Sequence, residues 1–137
     1  MSASAELACV PPNDVAKLWP HVAPLIARAM ARGRMGRFED VETDVLGADA
    51  YLWLAIDGNS ILAAAVTKVT RDEAGRGLCT IVACGGRDWP RFGHLIAGLE
   101  DYARAEGCAQ IEICGRPGWQ RRLAGYRTIK VVIRKKL

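Results

Sequence analysis

The stretch LCTIVACGGRDWPRFGHLIAGLEDYARAEGCAQIEIC, residues 78–114, holds one strand, one helix and a second strand in succession. Leu78 to Cys84 is apolar except for Thr80 and is too short for a helix, so it reads as a buried strand. Gly85-Gly86 ends it. Asp88 stands where a helix N-cap belongs, with Pro90 near the first helical position. Leu95, Ile96, Leu99, Tyr102 and Ala103 recur at helical spacing, which predicts a helix over 90–106 stopped by Gly107. Ala109 to Cys114 is the second strand. A strand, a long helix and a strand predict a parallel pair joined by a right-handed crossover.

Upstream, Tyr51 to Ile56 and Ile61 to Thr70 read as two strands. Asp57-Gly58-Asn59 between them is hairpin chemistry, because Gly and Asn tolerate positive φ. After the polar turn Arg71 to Gly77 the chain enters the strand at Leu78, so 51–84 is an antiparallel meander. Further back, Leu7 to Val10 is a short strand stopped by Pro11-Pro12. Val15, Leu18, Val22, Leu25, Ile26, Ala29 and Met30 follow at helical spacing, with Asn13 or Asp14 as cap. Pro20 and Pro24 predict a kink there, or a helix that starts after Pro20. Residues 32–37 read as a loop, and Glu39 to Leu46 as a short acidic helix closed by Gly47. Downstream, Gly115 to Gly118 is a turn, Trp119 to Ala124 a helical turn or two, and Thr128 to Ile133 a last strand. The order is β, α, α, β, β, β, α, β, α, β, a mixed, mostly antiparallel sheet of about 5–6 strands flanked by helices.

The 137 residues are expected to form one domain, 1–137. Half of them are hydrophobic and 25% are charged, which excludes a disordered chain, a collagen-like chain or a disulfide mini-protein. The longest apolar run, Ile61 to Val66, is far short of the roughly 20 residues that cross a bilayer. Met1 to Val10 shows no basic segment followed by an apolar one, so no signal peptide is read and a cytoplasmic location is expected. The five cysteines, Cys9, Cys79, Cys84, Cys108 and Cys114, form no C-x-x-C pair, and His21 and His94 are the only histidines. No metal site is expected; the cysteines read as small hydrophobes in a reducing compartment.

Nineteen Lys and Arg against fifteen Asp and Glu leave a net charge of +4, unevenly placed. Glu39 to Asp57 carries six acids and no base, whereas Gly115 to Leu137 carries eight bases and no acid. The basic stretch reads either as a polyanion site, for nucleic acid or a phosphorylated cofactor, or as a solvated strand end. Only Trp119 and Tyr126 interleave with it, so the aromatic half of a nucleic-acid signature is thin.

The ordered set of elements resembles the GNAT superfamily of acyl-CoA-dependent N-acyltransferases, from about residue 13 onward. The likeness is carried by the meander, by the helix with Ala103 four residues before Gly107, by the strand Gln110-Ile111-Glu112-Ile113, and by the short helix ending in Gly125-Tyr126. In that family a loop Q/R-x-x-G-x-G/A leads into the helix, and its backbone N–H groups bind the coenzyme A pyrophosphate at the positive end of the helix dipole. The equivalent stretch here is Arg87-Asp88-Trp89-Pro90-Arg91-Phe92. Arg87 matches, but Pro90 and Phe92 replace the two small residues. Proline removes a donor, phenylalanine crowds the approach, and Asp88 competes for the same N–H groups. Gly93 lies one residue late, and Gly85-Gly86 offers an alternative anion nest.

The resemblance implies that acetyl-CoA lies against Val82, Cys84, Arg87, Trp89, Arg91 and Gly93, with the acyl thioester near Cys84. Many family members place a tyrosine general acid shortly before the Gly-aromatic pair, and here that position is Arg121. Glu112 is the one carboxylate inside an apolar strand. Burial that raised its pKa would suit a general base; an acid paired with a nearby arginine is the other reading. The family ends in a two-stranded hairpin, for which the 11 residues after Tyr126 supply one strand. The substrate side is then more open, or is completed by a partner chain. Gly115 to Trp119 and the short end are similar to small GNAT-like proteins of bacteriophage and prophage genomes. Two readings stand. One is an N-acetyltransferase using acetyl-CoA and an amine acceptor. The alternative is a catalytically inactive GNAT-fold binding or assembly module, phage-related, with a protein, homo-oligomeric or nucleic-acid partner.

Overall fold

Helix α1 shows how burial overrides local preference. In the computed structural model, which describes residues 5–33, 36–115, 118–131 and 133–137, α1 runs unbroken over Pro12–Gly33 with Pro20 and Pro24 inside it. It starts neither at Asn13 nor after Pro20. Pro12 fits the helix start because its missing N–H would have no partner there. An interior proline costs about 3 kcal/mol. Against that, Val15, Trp19, Val22, Ile26 and Met30 are all buried, at about 1.5–3 kcal/mol each. Both prolines face solvent, where water can satisfy the carbonyls they strand.

The sheet has the order β1-β2-β3-β4-β5. β1 (Glu6–Cys9), β2 (Tyr51–Asp57), β3 (Ser60–Arg71) and β4 (Gly77–Gly86) pair antiparallel, and β5 (Cys108–Ile113) joins β4 in parallel. The β2–β3 hairpin turns at Gly58, whose φ of 59° supplies the left-handed step. α1 and α2 (Phe38–Leu46) cover one face through a core that includes Leu52, Leu54, Ala64, Val66 and Ala83. α4 (Ile96–Ala105) and α5 (Gly118–Arg122) cover the other against Trp53, Ala65, Ile81 and Leu123. Buried polar atoms are matched: the Trp53 indole donates to the Thr67 hydroxyl at 2.8 Å.

The helix expected over 90–106 is broken. α3 (Trp89–Phe92) is followed by a 3₁₀ turn at Gly93–Leu95 and only then by α4. Asp88 occupies the N-cap position of α3 but is left-handed, φ 66°, and makes no side-chain cap bond. Its carboxylate lies 3.8 Å from the Arg91 guanidinium instead. The last expected strand is also not formed: no strand covers 128–131 or 133–137, and β5 ends the sheet. Ile129, Val131 and Ile133 keep the alternating pattern but stand exposed. A strand exists only through its ladder, and among the described residues the sheet order β1-β2-β3-β4-β5 has no place for this segment. Arg34 and Met35 of the expected loop, Arg116 and Pro117 of the expected turn, and Val132 lie outside the described residues.

Candidate active site

Strand β4 changes character at its middle. From Gly77 to Ile81 it pairs with β3 on one side and β5 on the other. The β5 ladder ends at Ile81–Ile113, with a last bond from the Cys114 N–H to the Ile81 carbonyl at 3.0 Å. Beyond it, Ala83 to Gly86 pair with β3 alone. Val82 is a bulge: Val66 pairs with Ala83 and Thr67 with Ile81, so Val82 has a register partner in neither neighbour. The two parallel strands therefore diverge and leave a cleft of about 330 Å³.

The cleft is lined from both faces of the sheet. Its floor is β4 from Val82 to Gly86. On one face its wall is α1, through Leu25, Arg28, Ala29 and Arg32. On the other face stand Trp89, Phe92, Trp119 and Arg122. α1 comes this close only because Gly85 has no side chain; a Cβ there would stand 2.5 Å from the Leu25 carbonyl oxygen. Gly86 is equally confined, 2.5 Å from the Ala63 side chain. Both glycines lie extended in the β3–β4 ladder. They serve close packing and do not form the anion nest expected of them.

Three N–H groups of the loop after β4 are bonded within the protein. The Arg87 N–H bonds the Leu62 carbonyl at 3.0 Å and the Arg91 N–H the Asp88 carbonyl at 2.9 Å. The Gly93 N–H bonds the Trp89 carbonyl, and Pro90 has none. Backbone amides at these positions are closed to an anion. What the cleft offers is side chains: Arg28, Arg32, Arg87 and Arg122 all line it. Among the described residues no carboxylate lies in ion-pair reach of any of the four. The one acid on the rim, Asp88, is held by Arg91, which also pairs with Asp57.

The residues expected to hold a cofactor divide accordingly. Val82, Cys84, Arg87 and Trp89 line the cleft. Arg91 is drawn away to Asp57, and Gly93 lies under the Trp89 indole, where a Cβ would come within 2.5 Å of the ring. Trp89 packs edge to face on Phe92 at 5.4 Å and on Trp119 at 5.1 Å, and the Arg122 guanidinium sits 5.4 Å from its ring centre. This aromatic cluster bridges the chain after β4 to α5. Burial pushes the Cys84 thiol up to about 12, so it stays protonated and is no nucleophile at neutral pH. Arg121, at the family's tyrosine position, is exposed on α5 and does not line this cleft. Tyr126 donates to Glu100 at 2.8 Å, and burial together with that bond pushes its hydroxyl up.

Glu112 stands opposite Thr80, one pair before the strands part, and accepts a hydrogen bond from its hydroxyl at 3.3 Å. Thr80 in turn lies opposite Lys68, which reaches Asp44 of α2 at 3.0 Å. Glu112 is thus half-buried on the α1–α2 face, below the cleft wall at Cys114. No arginine pairs with it among the described residues. These residues contain no cluster of His, Cys, Asp or Glu fit for a metal ion, and no helix long and apolar enough to cross a membrane.

The α1 arginines and Trp119 were not singled out from sequence. A signal existed for the arginines: Arg28 and Arg32 are spaced (i, i+4) on a helix whose only acid is the distant Asp14. Trp119 had none, because its contact with Trp89 depends on the tertiary fold.

No protein-family model matches the sequence, and no curated protein matches it. Solved structures do resemble its fold. A GNAT family acetyltransferase of Staphylococcus aureus is 17% identical with a TM-score of 0.64, covering 98% of this chain and 99% of that one. A ribosomal-protein-alanine N-acetyltransferase from Brucella melitensis is 15% identical with a TM-score of 0.64, covering 95% and 99%. An aminoglycoside acetyltransferase from an uncultured soil metagenomic sample, in complex with sisomicin, is 14% identical with a TM-score of 0.65, covering 97% and 96%. The chain has the GNAT fold.

Proposed function

We propose that this GNAT-fold chain is an acyl-CoA-dependent N-acyltransferase that binds its co-substrate through arginine side chains. The observation that carries the reading is the divergence of β4 from β5 beyond Ile81, a cleft lined by Arg87 after β4 and by Arg122 on α5, neither with a carboxylate in ion-pair reach among the described residues. A phosphorylated co-substrate fits such a pair. Arg87 and Arg122 take the phosphates as charge-assisted hydrogen-bond donors. They replace the backbone amides that Leu62, Asp88 and Trp89 carbonyls have occupied.

Acyl-CoA supplies an activated acyl group; the amine nitrogen forms the new bond to its carbonyl carbon, the thioester C–S bond breaks, and the amine gives up a proton. Val82, bulged and unpaired in register, is the backbone position that faces the thioester carbonyl. The half-buried Glu112 receives the amine proton, with the Thr80 hydroxyl fixing the orientation of its carboxylate. Most of the acceleration comes from holding amine and thioester together.

Calorimetric titration of acetyl-CoA into the protein tests the reading. The expected result is saturable binding that weakens about tenfold in Arg87→Ala, a loss of about 1.4 kcal/mol. Release of free CoA in the presence of an amine panel, followed by mass spectrometry, then reads transfer. Glu112→Gln should leave the acetyl-CoA Kd unchanged and lower kcat by roughly 10²- to 10⁴-fold. No binding of acetyl-CoA at millimolar concentration overturns the reading.

A further inference from the structure

The cleft is lined from both faces of the sheet, and the two linings differ in chemistry. The α4–α5 side is aromatic, with the Trp89 and Trp119 ring centres 5.1 Å apart. The α1–α2 side carries Arg28 and Arg32 from α1. These two positions, four apart, stand above one another on the helix. Like charges at that spacing weaken a helix. The pair persists here without relief: neither guanidinium has a carboxylate in reach among the described residues, and Arg28 makes only a long bond to the Pro24 carbonyl at 3.4 Å. A pair placed only for solubility would not need to line a cleft. Glu112, the one carboxylate near the divergence on this face, lies on β5 by Thr80 and leaves both arginines uncompensated.

In a two-substrate transfer the two sides suit two different molecules. Glu112 and α1 share one face of the sheet, so the amine that gives up its proton enters from the α1 side. We propose that the acceptor is a small amine bearing an anionic group, a carboxylate or a phosphate, which the Arg28–Arg32 pair binds while the amine nitrogen reaches Val82 through the cleft. This inference rests on the acyltransferase reading and adds the substrate class. Two guanidinium forks match the oxygens of either anion. The same pair excludes polyamines and other cationic acceptors, which would meet uncompensated like charge.

The test compares amines that differ in the anionic group. Ethanolamine and phosphoethanolamine differ only by the phosphate; β-alanine carries a carboxylate, and spermidine is a polycation. With saturating acetyl-CoA, phosphoethanolamine or β-alanine should exceed ethanolamine in kcat/KM by tenfold or more, and spermidine should be the poorest acceptor. The two anionic amines distinguish phosphate from carboxylate. In the Arg28→Gln/Arg32→Gln variant the ratio of anionic to neutral amine should fall at least tenfold through KM, with the acetyl-CoA Kd within twofold of wild type. Arg28→Lys/Arg32→Lys should restore much of the ratio. Both side chains are exposed, so unchanged circular dichroism is expected of either variant. A ratio near one in the wild type, or spermidine as the best acceptor, overturns the proposal while leaving acetyl-CoA binding intact. A tenfold loss of acetyl-CoA affinity in the glutamine variant also overturns it, by assigning the pair to the co-substrate. Absence of acetyl-CoA binding to the wild type overturns the underlying reading, and this proposal with it.

Discussion

The two halves of β4 share one strand and differ in almost everything else. Gly77 to Ile81 is a central strand, laddered on both sides, with Cys79 and Ile81 fully buried. Val82 to Gly86 is an edge that the fold leaves open toward β5, with α1 pressed against it through Gly85. Two-sided laddering and full burial lie in the first half and the cleft lining in the second, and the bulge at Val82 is the boundary. The contrast illustrates how a single extra residue can turn a central strand into the floor of a cleft without adding a loop.

Ile81→Ala strikes the closed half hardest. It should cost about 2–5 kcal/mol in a urea titration, since a buried isoleucine leaves a cavity, and a loss below 1 kcal/mol would mean that the ladder is not the stable half. Trp89→Ala, at the open half, removes two aromatic contacts and one cation–π contact, which together predict a loss of about 2 kcal/mol. Arg87→Ala should leave the urea midpoint within about 0.5 kcal/mol, as an exposed substitution does, and act on acetyl-CoA binding alone. A drop in stability as large as that of Ile81→Ala would erase the division between the halves.

The smallest effect is in pH. Burial favours the neutral thiols, raising Cys84 to about 12 and Cys79 to about 11 from 9.0. An acid whose folded pKa is raised adds stability that is whole below its unfolded pKa. That stability is lost as pH climbs toward the folded value. Stability should therefore decline from about pH 9 upward, and Cys84→Ala should make the decline shallower in urea titrations at pH 8 and pH 10. Equal slopes in both proteins would show that Cys84 is not desolvated by the fold.

The meander, the crossover and both flanking layers were legible because their signals are local: the short apolar run Tyr51 to Ile56, the turn at Gly58, and the helical spacing of Leu95 to Ala103. The misreadings have separate causes. Pro20 and Pro24 predicted a break, but five buried side chains on α1 outweigh them. The 90–106 helix read as continuous, yet Gly93 must lie under the Trp89 ring and the chain tightens to a 3₁₀ turn there. Thr128 to Ile133 has a strand's pattern, but pattern alone does not place a segment in a sheet, and 128–131 and 133 are not in strand. At the site, the sequence marked Val82, Cys84, Arg87 and Trp89 through the order of elements. That Arg91 pairs with Asp57, 34 positions away, is a tertiary fact that the sequence does not carry. The bond from the Arg87 amide to the Leu62 carbonyl is another.

The indole pair at the cleft also makes the protein its own optical probe. Trp89 and Trp119 have ring centres 5.1 Å apart with their planes at 68°, a separation at which two chromophores couple. The far-ultraviolet dichroism of the folded chain should carry that coupling in its strong indole band. Any guest entering between β4 and α5 must change the pair's geometry or its emission, so occupancy can be followed by light alone, without a label.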